Sequence, residues 1–442
     1  MVMTALRDHL AGVPARADVR LADLEAAVES ALRDVGGRCL ETVVAEVGTG
    51  YVGAQRPCAC GESQETDHYV SATWQTVVGT IQIRRAAYHC PSCGAQAIPL
   101  DAQLGVPTDR TSPLLRARLS RFCAVAPFAE ACTLLEEASG VRVSAKRAQL
   151  VSEDLGARLE AQQATVRSGE TEDAPAPAAA RVYVGIDGVF YCTTQRDEQR
   201  ALLWREAKVG VIARPLPDGA PGTGRHSHLA PEGRPIDVLD PASPSYVVHM
   251  GDWRGFADKL WREAERRGIE RAWEIILLSD GAEWIEAVRA LLFDGLGVRV
   301  VHILDLRHAE EHLWEVARIC LGERAAGWVE NPLADLREGR VDALLTAIRQ
   351  LPTPTQDAAQ CVATTCAYFD TRRPMLDYPR FRQEGYQIGS GIAESACKRL
   401  VSQREKGPGM HWTTPGAQAI GTLRAAHLSN RWDEVVAVAR AA

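Results

Sequence analysis

Ile275-Ile276-Leu277-Leu278-Ser279-Asp280-Gly281 is the stretch on which the fold of this chain turns. Four consecutive apolar residues leave no polar face, so the run reads as a central parallel strand buried on both sides. It stops at Ser-Asp-Gly, residues that favour turns. The pattern recurs on either side. Val182, Val184 and Ile186 alternate up to Asp187-Gly188, and Val298 to Leu304 leads into Asp305. In open α/β sheets, ligands bind beyond the carboxyl ends of the strands. Three strands ending in Asp therefore predict a site lined by carboxylates, and such a site needs a counter-charge that a divalent metal supplies. Each Asp-Gly taken singly is also an ordinary turn.

Working outward, residues 189–194 and 201–213 read as further strands and 246–249 as a short one. Residues 254–267 and 282–292 read as helices, and the Gly/Pro-rich stretch 215–244 as a long loop. Beyond Asp305 the chain turns helical and carries His308 and His312. Much later comes Gly389-Ser390-Gly391-Ile392-Ala393-Glu394-Ser395-Ala396-Cys397-Lys398. Its apolar stripe is Ala393, Ala396, Cys397, Leu400 and Val401. Glu394 sits at the stripe's edge, where a carboxylate can point across at the aspartates. The plainer reading of Glu394 is an i,i+4 pair with Lys398.

The clearest boundary lies upstream. Residues 168–180, SGETEDAPAPAAA, have the composition of an extended, semi-rigid spacer. Before it, Cys58-Ala-Cys60-Gly is followed 29 residues later by Cys90-Pro-Ser-Cys93-Gly. Paired cysteines on Gly-containing turns, joined by the β-rich segment Trp74–Ile83, form the pattern of a zinc ribbon. Four thiolates leave no open position, so the Zn²⁺ expected at Cys58, Cys60, Cys90 and Cys93 is structural. Four reduced core cysteines are the alternative. Residues 1–50 are helical in pattern, with Leu21, Leu24, Val28 and Leu32 spaced by three and four. A helix opening at Pro127-Phe128 reaches about Ala138, Ser139–Val143 reads as a turn, and Ser144 caps a helix carrying Lys146 and Arg147. That is the helix-turn-helix plan for DNA, with an ordinary αα-hairpin as the bland alternative.

The 442 residues predict two to four domains, and 46% hydrophobic with 24% charged residues is a globular balance. A net charge of −7 excludes coating nucleic acid by bulk charge. No apolar run approaches a membrane span, and MVMTALRDHL carries no signal core, so a cytoplasmic protein without membrane partners is expected. The charge is uneven: residues 110–150 hold seven Lys/Arg against three Glu, and 372–412 hold eight against four Asp/Glu, a local +4 in each.

GIDG at 185–188, SDGAEWI at 279–285, LDxxH at 304–308 and GSGIAESACK at 389–398 resemble the DDE transposases of bacterial insertion sequences. The likeness is to the ISKra-type family within the mutator-like group, and it covers about residues 50–412, the CxCG…CPSCG element included. The resemblance implies an α/β RNase H-like catalytic core with an all-helical insertion. Its catalytic acids would be Asp187, Asp280 and Glu394, holding Mg²⁺ or Mn²⁺, with Asp305 and His308 supporting the active site. Lys398, Arg399, Arg404 and Lys406, beyond Glu394, would hold DNA phosphates. The partners would be transposon terminal inverted repeats and target DNA, handled by a homo-oligomer associated with a bacterial nucleoid. The expected order is a helical segment (1–50), a zinc-ribbon-like domain (51–100), a helix-turn-helix-like domain (101–167) and the linker (168–180). The first part of the core (181–320), the insertion (321–380) and the last part of the core (381–442) follow. Two other functions fit the same motifs: a domesticated DNA-binding regulator, and a metal-dependent nuclease that cuts without joining.

Overall fold

The computed structural model describes residues 20–165, 181–216 and 236–441. The spacer 168–180, the first 19 residues of the N-terminal helical segment and most of the 215–244 loop lie outside the described residues. The chain forms two compact units, one of Met1–Gln162 with Asn430–Ala442 and one of Gln163–Ser429.

The first unit opens with helix α1 (Leu21–Val47). Its stripe of Leu21, Leu24, Val28 and Leu32 faces outward, and the smaller Ala31, Val35 and Val44 make the buried face. Strands β1 (Gln55–Pro57), β2 (Ser63–Thr76), β3 (Gly79–His89) and β4 (Gln96–Ala97) follow as an antiparallel sheet in that order. The hairpin between β2 and β3 closes at Thr76 and Gly79, where a φ of +108° suits glycine. Ala72, Trp74, Ile81 and Ile83 alternate inward onto Val44 and Leu100.

Helix α2 (Pro113–Val125) starts where Ser112 Oγ accepts the Leu115 N–H and Pro113 takes the first turn. Helix α3 (Phe128–Ser139) ends at Gly140 in the left-handed region, and α4 (Ala145–Thr165) follows the turn. Leu115, Leu119, Leu135, Ala148 and Val151 close the core of these three helices. The buried Arg116 of α2 ties them together by pairing with Asp109 and with Asp154 of α4. The C-terminal helix Trp432–Arg440 also belongs to this unit, whereas the sequence reading attaches everything after 381 to the core.

The second unit is built on a five-stranded sheet. Its strands are β5 (Arg181–Arg196), β6 (Leu202–Ala213), β7 (Ser245–His249), β8 (Glu274–Ser279) and β9 (Arg299–Leu304). The spatial order is β7-β6-β5-β8-β9. β5, β6 and β7 are antiparallel neighbours, and β8 and β9 run parallel to β5. Residues 189–194 are not a separate strand: β5 runs through Asp187 because β6 keeps pairing with it as far as Cys192 opposite Trp204. Asp187 is therefore in mid-strand, not at a strand end.

Both faces of the sheet are covered. Val182, Val184, Ile186, Ile275 and Leu277 pack under α5 (Trp253–Arg266) and α6 (Glu283–Phe293). Tyr183, Ile276 and Leu278 pack under the helices that follow β9. Ile275 to Leu278 are fully buried, and each such side chain contributes about 1.5–3 kcal/mol relative to exposure. After β9 come α7 (Leu306–Leu321), α8 (Ala325–Arg337), α9 (Val341–Arg349), α10 (Gln356–Thr371) and the short α11 (Tyr378–Gln383). Then come α12 (Gly391–Cys397), a π-helical turn over Lys398–Ser402, and α13 (Thr414–Leu428). Among the described residues no helix is long and apolar enough to cross a membrane.

Candidate active site and metal centre

The sheet register brings the segments that carry the first two acids next to each other. β5 pairs with β8 in parallel, ending at Gly185 opposite Leu278. Two residues further along each chain stand Asp187, still within β5, and Asp280, one residue past the end of β8. β8 ends at Ser279, so Asp280 departs from the sheet while Asp187 stays held by β6. The turn at Asp280 is closed by its own carboxylate, whose Oδ1 accepts the Ala282 N–H at 2.9 Å.

Glu394 arrives on α12, which crosses β5 at Gly185. A Cβ on Gly185 would stand 3.0 Å from Ile392 Cγ1 and 3.2 Å from Ala393 Cβ. Glycine there lets the helix lie against the strand, two residues from Asp187 and one from Glu394. Asp305 fixes the entry to this helix. It is 2% exposed, its Oδ1 accepts the His308 N–H at 2.6 Å as the cap of α7, and its Oδ2 accepts the Ser390 N–H. Leu306 N–H also bonds Ile388 O at 3.2 Å. Asp305 thus joins the end of β9 to the segment that presents Glu394. His308 stands on α7 against His312, with ring centroids 4.8 Å apart, and His312 lies 4.1 Å from Tyr368.

Electrostatics links the three acids. Asp187 is pushed up to about 6, first by burial, then by the negative charge of Asp280, with Glu394 adding to it. Opposing this, Gly188 N–H donates to Asp187 Oδ1 at 2.7 Å and the Cys397 thiol donates to Oδ2 at 3.5 Å. The charges acting most on Asp187 are therefore both negative. The donor set is oxygen, the kind that a hard dication takes. By sequence Cys397 is one more apolar position of the stripe, and its contact with Asp187 emerges only in the fold. Burial and the Asp187 charge hold its thiol far above the usual range.

In the first unit, Cys58, Cys60, Cys90 and Cys93 place all four sulfurs within 4.8 Å of one another. Asp187, Asp280 and Glu394 are not gathered so tightly. Cys58 Sγ lies 3.6 Å from Cys93 Sγ, and Cys60 Sγ 3.7 Å from Cys90 Sγ. A tetrahedral zinc with Zn–S of about 2.3 Å sets sulfurs about 3.8 Å apart, so the spacing fits. Each pair sits on a tight turn: Gly61 N–H bonds Cys58 O at 3.0 Å, and Gly94 N–H bonds Cys90 O at 2.9 Å. Both glycines have positive φ. The Cys93 N–H helps pull the Cys90 thiol down to about 7. Cys93 feels the Ala95 N–H as a lowering influence, yet the sulfurs of Cys60, Cys90 and Cys58 push it up to about 12. Sulfurs that resist ionising together call for a cation, and the cluster can hold a zinc ion.

The basic residues divide. Lys146, Lys398, Arg399 and Lys406 are exposed, although Arg399 donates to the Tyr246 hydroxyl at 2.7 Å. Arg147 is half-buried, bonding Gln75 Oε1 at 3.0 Å and the carbonyl of Asp109. Arg404 is 1% exposed, with its guanidinium 5.1 Å over Trp412. It is not among the exposed cations: three and four residues after the buried Val401 and Leu400, it continues their stripe into the interior beside the buried Glu405. Burial pushes the Glu405 carboxyl up to about 8, with Arg404 and Arg424 pulling the other way. The +4 of residues 110–150 is also partly internal, since Arg116 is buried between two aspartates.

No family model matches this chain, and no curated protein does. Among solved structures it is similar to a chain of the Drosophila P element transposase strand transfer complex, at 10% identity and a TM-score of 0.25. The match covers 73% of this chain and 80% of that one. A likeness that slight carries no argument about fold or activity.

Proposed function

We propose that this chain is a DDE-type transposase, cutting DNA at the ends of a mobile element and joining those ends to target DNA. The observation that carries the reading is the influence of Asp280 and Glu394 on Asp187. Asp187, Asp280 and Glu394 come from a central strand, the end of its parallel neighbour and a late helix, and the first is pushed up to about 6 with help from the other two. The core is read as RNase H-like, supported by the order β7-β6-β5-β8-β9 with two strands parallel to β5. The helices between residues 321 and 380 are read as its insertion. The ISKra-type assignment rests on the motif resemblance alone.

The three carboxylates are proposed to bind Mg²⁺ or Mn²⁺. When bound, such ions lower the pKa of a water or hydroxyl nucleophile and neutralise charge at the phosphorus. Asp187 contributes a carboxylate anchored at one oxygen by the Gly188 N–H, so its other oxygen has a defined direction. Asp280 is oriented by its own turn and Glu394 by the packing of α12 on Gly185. Lys398, Arg399 and Lys406 are exposed just beyond Glu394, where they can meet DNA phosphates. Asp305 and His308 support the site through the α7 cap. Lys146 offers a cation on the first unit's helix, and the thiolate cluster holds that unit's hairpin together. Pairing of two DNA ends implies a homo-oligomer.

The test is a supercoiled plasmid carrying the DNA that flanks the gene, incubated with full-length protein and Mg²⁺. Joined products are expected, and Asp187→Ala, Asp280→Ala and Glu394→Ala each reduce them by at least about a hundredfold. Cleavage without joining would leave a nuclease. Binding without any strand cut in the wild-type chain would leave a DNA-binding regulator.

A further inference from the structure

The turn that carries Asp280 is gripped from two directions. From the helical segment, the Tyr368 hydroxyl of α10 donates to the carbonyl oxygen of Asp280 at 2.9 Å. Arg372, just past the end of α10, donates to the carbonyl of Gly281 through Nε at 2.9 Å and through Nη2 at 2.5 Å. The same guanidinium lies 4.3 Å over the Tyr368 ring and bonds Tyr368 O at 3.0 Å, so the two side chains form one unit. From the sheet, Ser279 Oγ accepts the Gly281 N–H at 3.1 Å. That hydroxyl is 2.8 Å from His302 Nε2, and the other ring nitrogen is 3.3 Å from Glu286 Oε2. Ser279 is fully buried, so the Ser279–His302–Glu286 series holds the turn and has no substrate access.

Gly281 is shaped for this grip. Its φ of +78° is in the left-handed region, and a Cβ there would stand 2.6 Å from Arg372 Nε and 2.7 Å from Leu304 Cδ1. Both carbonyls of the Asp280-Gly281 dipeptide and the Gly281 N–H thus have side-chain partners, while the Asp280 carboxylate itself accepts only the local Ala282 N–H among the bonds described here. Hydrogen bonds spent on the backbone leave carboxylate lone pairs for a ligand.

We infer that Tyr368 and Arg372 are positioning residues that aim the Asp280 carboxylate through its main chain, making the helical segment a part of the acid site. This rests on the three-acid reading above. Outer partners of metal ligands typically alter metal affinity by about 10–100-fold when removed, and here the outer partners act through the backbone.

The experiment uses full-length protein with Tyr368→Phe, which keeps the ring, and with Arg372→Ala and Arg372→Lys. Two readouts are taken: amide hydrogen exchange of residues 279–285, and Mn²⁺ binding by electron paramagnetic resonance titration. Unfolding temperature identifies any variant that has lost its fold. The expected result is unfolding close to wild type, exchange at Gly281 and Ala282 faster by about tenfold, and Mn²⁺ affinity weaker on the order of tenfold. Arg372→Lys should recover part of what Arg372→Ala loses. Unchanged exchange in both Tyr368→Phe and Arg372→Ala overturns the inference, even where Mn²⁺ binds and the three-acid reading stands. Faster exchange in a protein whose wild type takes up no Mn²⁺ keeps the grip on the turn and removes the metal reading.

Discussion

Asp187 is a carboxyl whose proton affinity is set by its surroundings: burial first, then Asp280 and Glu394. Its pKa rises from an ordinary 3.8 to about 6. The folded chain thus holds this proton more tightly than the unfolded chain does. The associated stability is complete below the unfolded value and is lost as pH rises through about 6. Asp187→Asn removes that dependence. In divalent-free buffer at pH 7 the variant should be more stable than wild type by about 2–3 kcal/mol, with a flatter profile between pH 4 and 7. Thermal unfolding across that range checks it, and a variant profile as steep as wild type's contradicts it. Asp187 was legible in the sequence because an acid after alternating Val and Ile is conspicuous. Cys397 was not, because its approach to Asp187 depends on how closely α12 lies on β5. Arg404 differs from Lys398 and Arg399 because it stands four residues after Leu400 and three after Val401, which continues the buried stripe of the helix.

At the scale of elements, two glycines control where the acids stand. Gly185 admits α12 and Gly281 admits Arg372. Gly281→Ala combines a left-handed φ with a close approach to Arg372 and Leu304, and should cost about 1–3 kcal/mol. Gly185→Ala meets Val211 Cγ1 at 2.9 Å and should cost a similar amount by overpacking, about 1–3 kcal/mol. Gly295→Ala, with nothing within 4 Å, is the control and should change stability by about 0.5 kcal/mol or less. Denaturant unfolding of the three variants gives the ranking, and equal effects at all three positions contradict it. The strands β8 and β9 could be read from apolar runs. The continuity of β5 past Asp187 could not, because Asp-Gly is turn chemistry locally and only the pairing with β6 keeps it extended. The outward stripe of α1 was hidden likewise: spacing by three and four identifies a helix, and the partner on the other face decides which side is buried.

At the scale of the molecule, the clusters of metal-ligating residue types are distributed by unit. The first carries the thiol cluster, the second the carboxylates. The whole-chain charge of −7 is unevenly spread, and part of the local positive charge is consumed by buried pairs such as Arg116 with Asp109 and Asp154. The C-terminal helix shows how far sequence order can mislead at this scale: Trp432–Arg440 follows the second unit in the chain and packs with the first.

We propose that Asp187, Asp280 and Glu394 share one divalent site. Iron-directed backbone cleavage tests it most directly: Fe²⁺ is bound in place of Mg²⁺, ascorbate and peroxide are added, and the cut positions are mapped on full-length protein. Cuts near residues 187, 280 and 394 that disappear together when Mg²⁺ is in excess are the expected result. Mg²⁺-sensitive cuts confined to one of these positions, or none at any of them, would contradict it.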